Sequence, residues 1–548
     1  MKITINGHSQ TFSSPLVLKD AVAILAPDYL DAALAAQEGN KVVELHQPLH
    51  RSTNLEIITY QDEEGRRIYE RSLRFVFLLA VKRCFPDSKV RIEHSLGGGI
   101  YIVLEGQRLY PNDVLTLKGM MEDIVAEDLP FTRHKWSKEE AIVYFLSIGD
   151  EEKARLLSFR PYDFFYVYEC GCMYEYFYGA MLPSTGYLRV FDLEAMTPGL
   201  LLLLPQKNNP CKAAPYVYSP KQMATFAQSN YWCKVLECTD AADLNDLVNE
   251  QKLGEFIRVN EALHDKSLSD IADEICLRGS RTVFIAGPSS SGKTTFANRL
   301  CIQLRVNGLR PVLISLDNFY RNRSEMTLEK DGTPDLEAID ALDLEKFHDT
   351  VQSLLEGKKT DMPVFDFTNQ KQNPAAYQLQ IDPDQPLVIE GIHGLNPRMH
   401  QGFDLKQLFK IYISELTCLN LDPHNRIRTT DVRLLRRIVR DYQFRGTPVE
   451  GTLAMWDKVR KGEEKWIFPF QENADVMFNS ALHYELPVLK KMCIPILKSL
   501  SKSDPNYLKI SRLKKILNYF IPADDVALRD IPPLSILREF IGGNTLYQ

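Results

Sequence analysis

The sequence predicts a multidomain chain: α+β modules in front, then an α/β domain whose parallel sheet carries helices on both faces. Three observations carry that expectation. At 548 residues the chain has room for roughly three to four domains, each with its own core. From residue 281 to about 485, apolar strand patterns alternate with helical ones, an order that requires crossover connections and a parallel sheet. Within that stretch, RTVFIAGPSSSGKTT (281–295) runs an apolar strand into a glycine-bounded loop and then a helix. The spacing Gly287-x-x-x-x-Gly292-Lys293-Thr294 is that of a P-loop, which cradles nucleoside triphosphates.

Residues 1–62 alternate short strands with a single helix. Lys2–Ile5 and Leu55–Ile58 are strand-like and Val17–Leu25 is helical. Residues 61–70 (QDEEGRRIYE) are expected to form a charged linker. A second α+β region covers 63–215, with an apolar-periodic helix from Leu73 to Cys84 stopped by Pro86, a tight turn at Gly97–Gly99 and a short buried segment at Leu200–Leu204. Residues 216–278 form a helical bridge, with Ala242–Glu250 and Leu268–Leu277 as its clearest helices. The α/β domain occupies 279–485. A helical tail, 486–548, is broken by Pro522, Pro532 and Pro533.

Composition narrows the function classes. Hydrophobic content of 45% and charged content of 25% are those of a globular protein in water. A net charge of −7 argues against a broad nucleic-acid coat but leaves room for a local basic site. No apolar run approaches the ~18 residues of a membrane span, and the first residues lack a signal-peptide core. The ten cysteines are scattered, so a reduced, cytoplasmic chain without membrane contact is expected. Cys170-Gly171-Cys172 is either half of a metal site or a pair of ordinary thiols; no second pair at zinc spacing follows.

The chemistry concentrates at strand ends. Glycines at 287 and 292 let successive N–H groups of Ser289, Ser290 and Ser291 turn toward one anion, with a helix N-terminus behind them. Lys293 reaches the β/γ-phosphates, the Thr294 hydroxyl suits Mg²⁺, and Thr295 completes the loop. Two further strands end in carboxylates, Pro311–Asp317 and Pro386–Glu390. In open parallel sheets ligands sit beyond the carboxyl ends of strands, so both acids should meet the P-loop, one on Mg²⁺ and one on an acceptor hydroxyl. Finally, Arg433, Arg436, Arg437 and Arg440 share a helical face opposite Leu434, Leu435, Ile438 and Val439, with Arg445 beyond. That pattern suggests a lid for an anionic transition state, with Arg436 and Arg437 on the triphosphate and Arg440 at the transferring group.

The segments GPSSSGKTTFANRL, SLDNFYR, PVFDF, VIEGIHGL and RLLRRIVRDYQFRG, in this order, make residues 281–485 resemble the uridine kinase and phosphoribulokinase family. The resemblance implies ATP and Mg²⁺ as cofactors. It makes Asp317 the general base, Thr294 and Glu390 the metal holders, and the arginine segment the lid. Tyr320, Asp335, Phe365, Gln370 and Arg445 then fall on the acceptor side with Asp317. In uridine kinases a tyrosine stands where Phe365 does and a histidine where Gln370 does, and an arginine follows the lid glycine where this chain has Thr447. The implied acceptor is a nucleoside; another hydroxylated metabolite is the alternative.

Residues 1–60 resemble the TGS domain of threonyl-tRNA synthetase, through LEIITYQDEEG (55–65), and 64 to about 205 resemble that enzyme's editing domain. The editing histidines fall on Arg71 and Phe75, and tyrosines replace the later histidine in ECGCMYEYFYG (169–179). Without imidazoles there is no evident base, so the front half is expected to bind or regulate rather than hydrolyse. Tyr162–Tyr178 either stack on bases or pack as core. An RNA-associated regulator is thus a second function class, with RNA contact through the front half, and self-association is open. A fragment beginning near residue 270 is expected to keep some kinase activity.

Overall fold

The computed structural model describes residues 1–328, 332–366, 369–501 and 504–546; Phe367, the last residue of PVFDF, lies outside them. In the first 60 residues, the strand Lys2–Ile5 pairs parallel with Thr53–Thr59 at the centre of a five-stranded sheet, which His8–Thr11 and the hairpin Ala33–Glu38/Lys41–Glu44 complete. The helix Leu18–Leu25 buries Leu18, Ala21 and Val22 against it. This is the β-grasp-like module.

No linker follows. The stretch expected to be a charged connection is the start of a 22-residue helix, Glu63–Cys84. Its charges mislead because Arg67, only 7% exposed, is buried by a distant partner, Asp431, besides its neighbour Glu63. The helix packs with Pro111–Ala126 against a four-stranded antiparallel sheet in which Gly97 and Gly98, both at positive φ, make the turn between Val90–Leu96 and Gly99–Leu104. The apolar segment pairs there as Gly199–Leu203. A three-stranded sheet, Thr132–Ser137, Phe164–Cys170 and Met173–Glu175, reaches the α/β domain where Glu175 pairs with His424 at 2.6 Å. Between the halves run the helices Pro220–Val235, Ala241–Asn249 and Leu253–Arg278.

The α/β domain is built on five parallel strands: β1 (Thr282–Ala286), β2 (Val312–Ser315), β3 (Leu387–Glu390), β4 (Leu408–Ser414) and β5 (Val476–Asn479), in the order β2-β3-β1-β4-β5. Their near-continuous apolar runs reflect burial on both faces. The tail adds helices Glu485–Lys498 and Tyr507–Leu517 and the short turns Asp525–Arg529 and Arg538–Ile541. One apolar core joins residues as far apart as Phe145, Tyr176, Leu244, Leu300 and Phe540. The front half and the α/β domain are therefore welded rather than tethered.

Candidate active site

β1 ends at Ala286 and the chain turns at once. A Cβ on Gly287 would stand 2.0 Å from the Ile413 carbonyl oxygen, so β4 requires glycine there. Gly292 has φ +87°, and Ser290 also takes a left-handed φ of 60°. The hydroxyls of Ser290 and Ser291 are buried without a partner among the described residues, the condition of a cradle shaped for an anion. Lys293 opens the helix Lys293–Val306 and donates to the loop's own Pro288 carbonyl at 3.2 Å.

The two strand-end acids meet this loop. Thr294 Oγ1 donates to Glu390 Oε1 at 3.5 Å, and Ser315 Oγ donates to the same oxygen at 3.0 Å. Burial, reinforced by the charge of Asp317, pushes the Glu390 carboxyl up to about 7. Burial also raises Asp317, against the pull of Lys293 and Arg445, and lowers the Lys293 ammonium against both acids. A divalent cation fits this set. Among the described residues no group of three or more His, Cys, Asp or Glu side chains is placed to hold a metal ion.

The arginine helix, Thr429–Phe444, is not a face of free cations. Arg436 is fully buried: its Nε donates to Glu485 at 2.6 Å and its Nη2 to the Ser480 carbonyl at 2.8 Å. The expectation that it binds triphosphate is therefore corrected, because its donors are spent on a structural ion pair. Arg433 is held likewise by Glu463, 2.8 Å away, and donates to the Ser289 carbonyl at 2.9 Å. Arg437 does face the loop, donating to Ser289 Oγ at 2.7 Å. Arg440 and Arg445 gather on Asp441, at 3.0 and 3.8 Å. The helix is packed on the P-loop rather than standing open over it.

On the acceptor side, the Tyr320 and Phe365 rings lie 5.6 Å apart in one wall, and the Tyr320 hydroxyl donates to the Leu336 carbonyl. Gln370 sits in the turn of the hairpin Thr360–Asp366/Lys371–Leu379, where its side-chain oxygen accepts from Arg323 at 3.0 Å. Asp335 accepts from the Glu337 amide in a local turn. Sequence reasoning missed Glu463, which accepts from the Ser289 amide at 3.1 Å while holding Arg433. It missed Glu337, whose carboxyl burial and the nearby Glu463 charge push up to about 7. It also missed the tail: Thr295 donates to Glu539 at 2.8 Å, and Ile536 Cγ2 stands 2.4 Å from where a Gly292 Cβ would be. No local motif marks these three: Glu463 and the tail meet the loop only through tertiary packing, and Glu337 lies against Gly462, beside Glu463.

In the front half Phe75 is fully buried between Phe131 and Phe177, and Arg71 donates to the Ala180 carbonyl. Cys170 is buried, its thiol pushed up to about 12 by desolvation, and Cys172 is exposed; neither is in a metal cluster among the described residues. Of the aromatic run, Phe165, Tyr168, Tyr176 and Phe177 are core, while Tyr162, Phe164 and Tyr166 are exposed.

A glycine loop on β1, with acids ending β2 and β3 in a parallel sheet, defines a P-loop kinase domain. Residues 282–486 match the Phosphoribulokinase / Uridine kinase family and form a domain of it. The N-terminal region is similar to threonine–tRNA ligases. That of Symbiobacterium thermophilum is 30% identical over 190 residues, 34% of this chain and 29% of the relative; that of Marinobacter nauticus is 30% identical over 190 residues, 34% and 30%. The chain thus spans about three tenths of the length of these relatives. A solved structure described as a "Possible Uridine Kinase" from Bacillus stearothermophilus aligns with 39% of this chain and 100% of its own, at 18% identity and TM-score 0.27. Among the described residues no helix is long and apolar enough to cross a membrane.

Proposed function

We propose that the protein transfers a phosphoryl group from ATP to a hydroxyl of a nucleoside, with Mg²⁺. The single observation that carries this is the meeting of the P-loop with the two strand-end acids: Glu390 accepts from Thr294 and Ser315, the Asp317 amide donates to the same Ser315 hydroxyl, and both carboxylates act on the buried Lys293 ammonium. Lys293 neutralises charge on the β/γ-phosphates, and Asp317 orients the acceptor hydroxyl and takes its proton. Thr294 and Glu390 would hold Mg²⁺, which supplies further charge neutralisation at the phosphates. Arg437, on Ser289, is the lid arginine placed to reach the triphosphate, with Arg440 and Arg445 beside it around Asp441.

A phenylalanine at 365 and a glutamine tied to Arg323 at 370 favour a second acceptor reading, another hydroxylated metabolite in the same pocket. The front half, lacking imidazoles at Arg71 and Phe75, supports a binding or regulatory role. A coupled ADP-release screen against nucleosides and phosphorylated sugars tests the proposal. Acceptor-dependent ADP release that disappears in Lys293→Ala is the expected result. Release that Lys293→Ala leaves near normal, or none with any acceptor, defeats it.

A further inference from the structure

A second cavity, of about 570 Å³, opens where the front half meets the α/β domain and the tail helix Tyr507–Leu517. Its size is that of a small-molecule site. Ten basic side chains line it against three acidic ones, Glu44, Glu64 and Glu70. Apart from Glu64, the carboxylates at the cavity already carry ion pairs. Glu70 serves both Arg426 and Arg428, Glu44 serves Arg133, and Asp431 serves Arg67 and Arg512. Arg71, Arg160 and Lys515 also face the cavity and have no carboxylate ion pair among the described residues. The Nε groups of Arg74 and Arg160 are buried without a hydrogen-bond partner there. Burial, then the charge of Arg67, pushes the Arg428 guanidinium down to about 9, the mark of cations crowded beyond their counter-charge.

Aromatic rings complete the lining. Tyr162, Phe164 and Tyr166 are each more than 40% exposed at this wall. Arg160 stacks 4.6 Å above Tyr162, and Arg133 4.6 Å above Tyr166. Cations for several phosphate charges beside flat faces for one ring suit a phosphorylated nucleoside.

We infer that this cavity binds a free nucleoside polyphosphate, held through Arg71, Arg160 and Lys515 with its base against the rim aromatics. A polymer fits less well, because the cations are confined to one cavity of a chain with net charge −7. The site also touches the P-loop through one rigid element. Arg67 and Arg512 line the cavity and grip Asp431, at 3.2 and 2.9 Å, in the first turn of the arginine helix. The same helix sets Arg433 and Arg437 on Ser289. A ligand that draws Arg67 or Arg512 toward itself loosens that grip, so occupancy is read at the P-loop. Binding stands apart from the kinase reading; only the consequence for phosphoryl transfer rests on it.

The test uses the full chain carrying Lys293→Ala, titrated by calorimetry with ATP, UTP, inorganic triphosphate and a short single-stranded RNA. A nucleoside triphosphate is expected to bind, more tightly than inorganic triphosphate, which lacks the ring. Adding Arg71→Ala should weaken it about tenfold, the loss of one charge-assisted contact. Lys515→Ala, at an exposed position that leaves the core intact, should act in the same direction. Hydrogen exchange at 429–444 should change on binding. Nucleotide affinity indifferent to both cavity variants, absence of nucleotide binding, or binding of the RNA alone overturns the inference, and none of these depends on whether turnover occurs.

Discussion

Asp317 and Glu390 are both raised strand-end carboxyls, yet they sit differently. Glu390 accepts from Thr294 and Ser315, whereas Asp317 is held from its backbone, its amide donating to Ser315 Oγ at 3.3 Å. Asp317→Asn should keep Mg·ATP binding while slowing turnover roughly a hundred- to ten-thousand-fold, the usual worth of a general base. Glu390→Gln should instead raise the Mg²⁺ concentration needed for half-maximal rate. A metal titration of both variants decides, and an identical metal defect in the two would merge their roles. Glu415, at the end of β4, is fully buried beside the Arg436–Glu485 pair, with Oε2 unpartnered among the described residues. Burial, then the Glu485 charge, pushes its carboxyl up to about 8. The unfolded chain loses this proton near pH ~4.3, so folded-state stability falls as pH rises from there to about 8. Glu415→Gln carries no such proton. It should match the wild type near pH 4 and exceed it by roughly 1–3 kcal/mol at pH 8.5, read from urea midpoints; a gap constant with pH would show the assignment to be wrong.

The arginine helix shows how an element's role can be misjudged from its own residues. Its four arginines lie at lid-like spacing, but Glu463 and Glu485, from two other helices, take Arg433 and Arg436 into the core. Arg436→Ala should therefore act on stability first. Leaving Glu485 buried and unpaired costs about 3–5 kcal/mol, so the variant should melt well below wild type; unchanged melting with lost nucleotide affinity would restore the phosphate-binding role. By contrast, the strand–loop–helix of 282–306 and the acids ending β2 and β3 were legible, because glycine spacing and apolar runs act locally. The helix at 63–84 was legible only from Leu73 onward. Its first turns carry Glu63, Glu64, Arg66 and Arg67, and the Arg67 guanidinium is buried against Asp431, far along the chain.

At the scale of the whole molecule, the front half and the kinase domain share one core. Asn245 donates to the Tyr519 carbonyl at 2.7 Å, the Tyr519 hydroxyl meets that of Tyr176 at 2.8 Å, and Phe145 and Leu157 pack in the same cluster as Ile285 and Phe296. A fragment beginning near residue 270 would expose that core, so the expected kinase activity of such a fragment is corrected: it should aggregate or melt without cooperativity. Circular dichroism melts of the fragment and the full chain compare them directly. The full chain should not deacylate Ser-tRNA specific for threonine, as Phe75 is packed in the core and Arg71 holds a backbone carbonyl; a measurable hydrolysis rate would make it bifunctional. The sequence by itself determined the P-loop and the strand-end acids, since each is set by residue type at short spacing; the absence of imidazoles at Arg71 and Phe75 is what the resemblance to the editing domain implies. Tertiary structure alone decided which arginines are taken into structural ion pairs, that Glu463 and the tail border the P-loop, and that ten cations converge on a second cavity. Those outcomes depend on pairings between residues tens to hundreds of positions apart, and charge and burial there are settled only when distant segments meet.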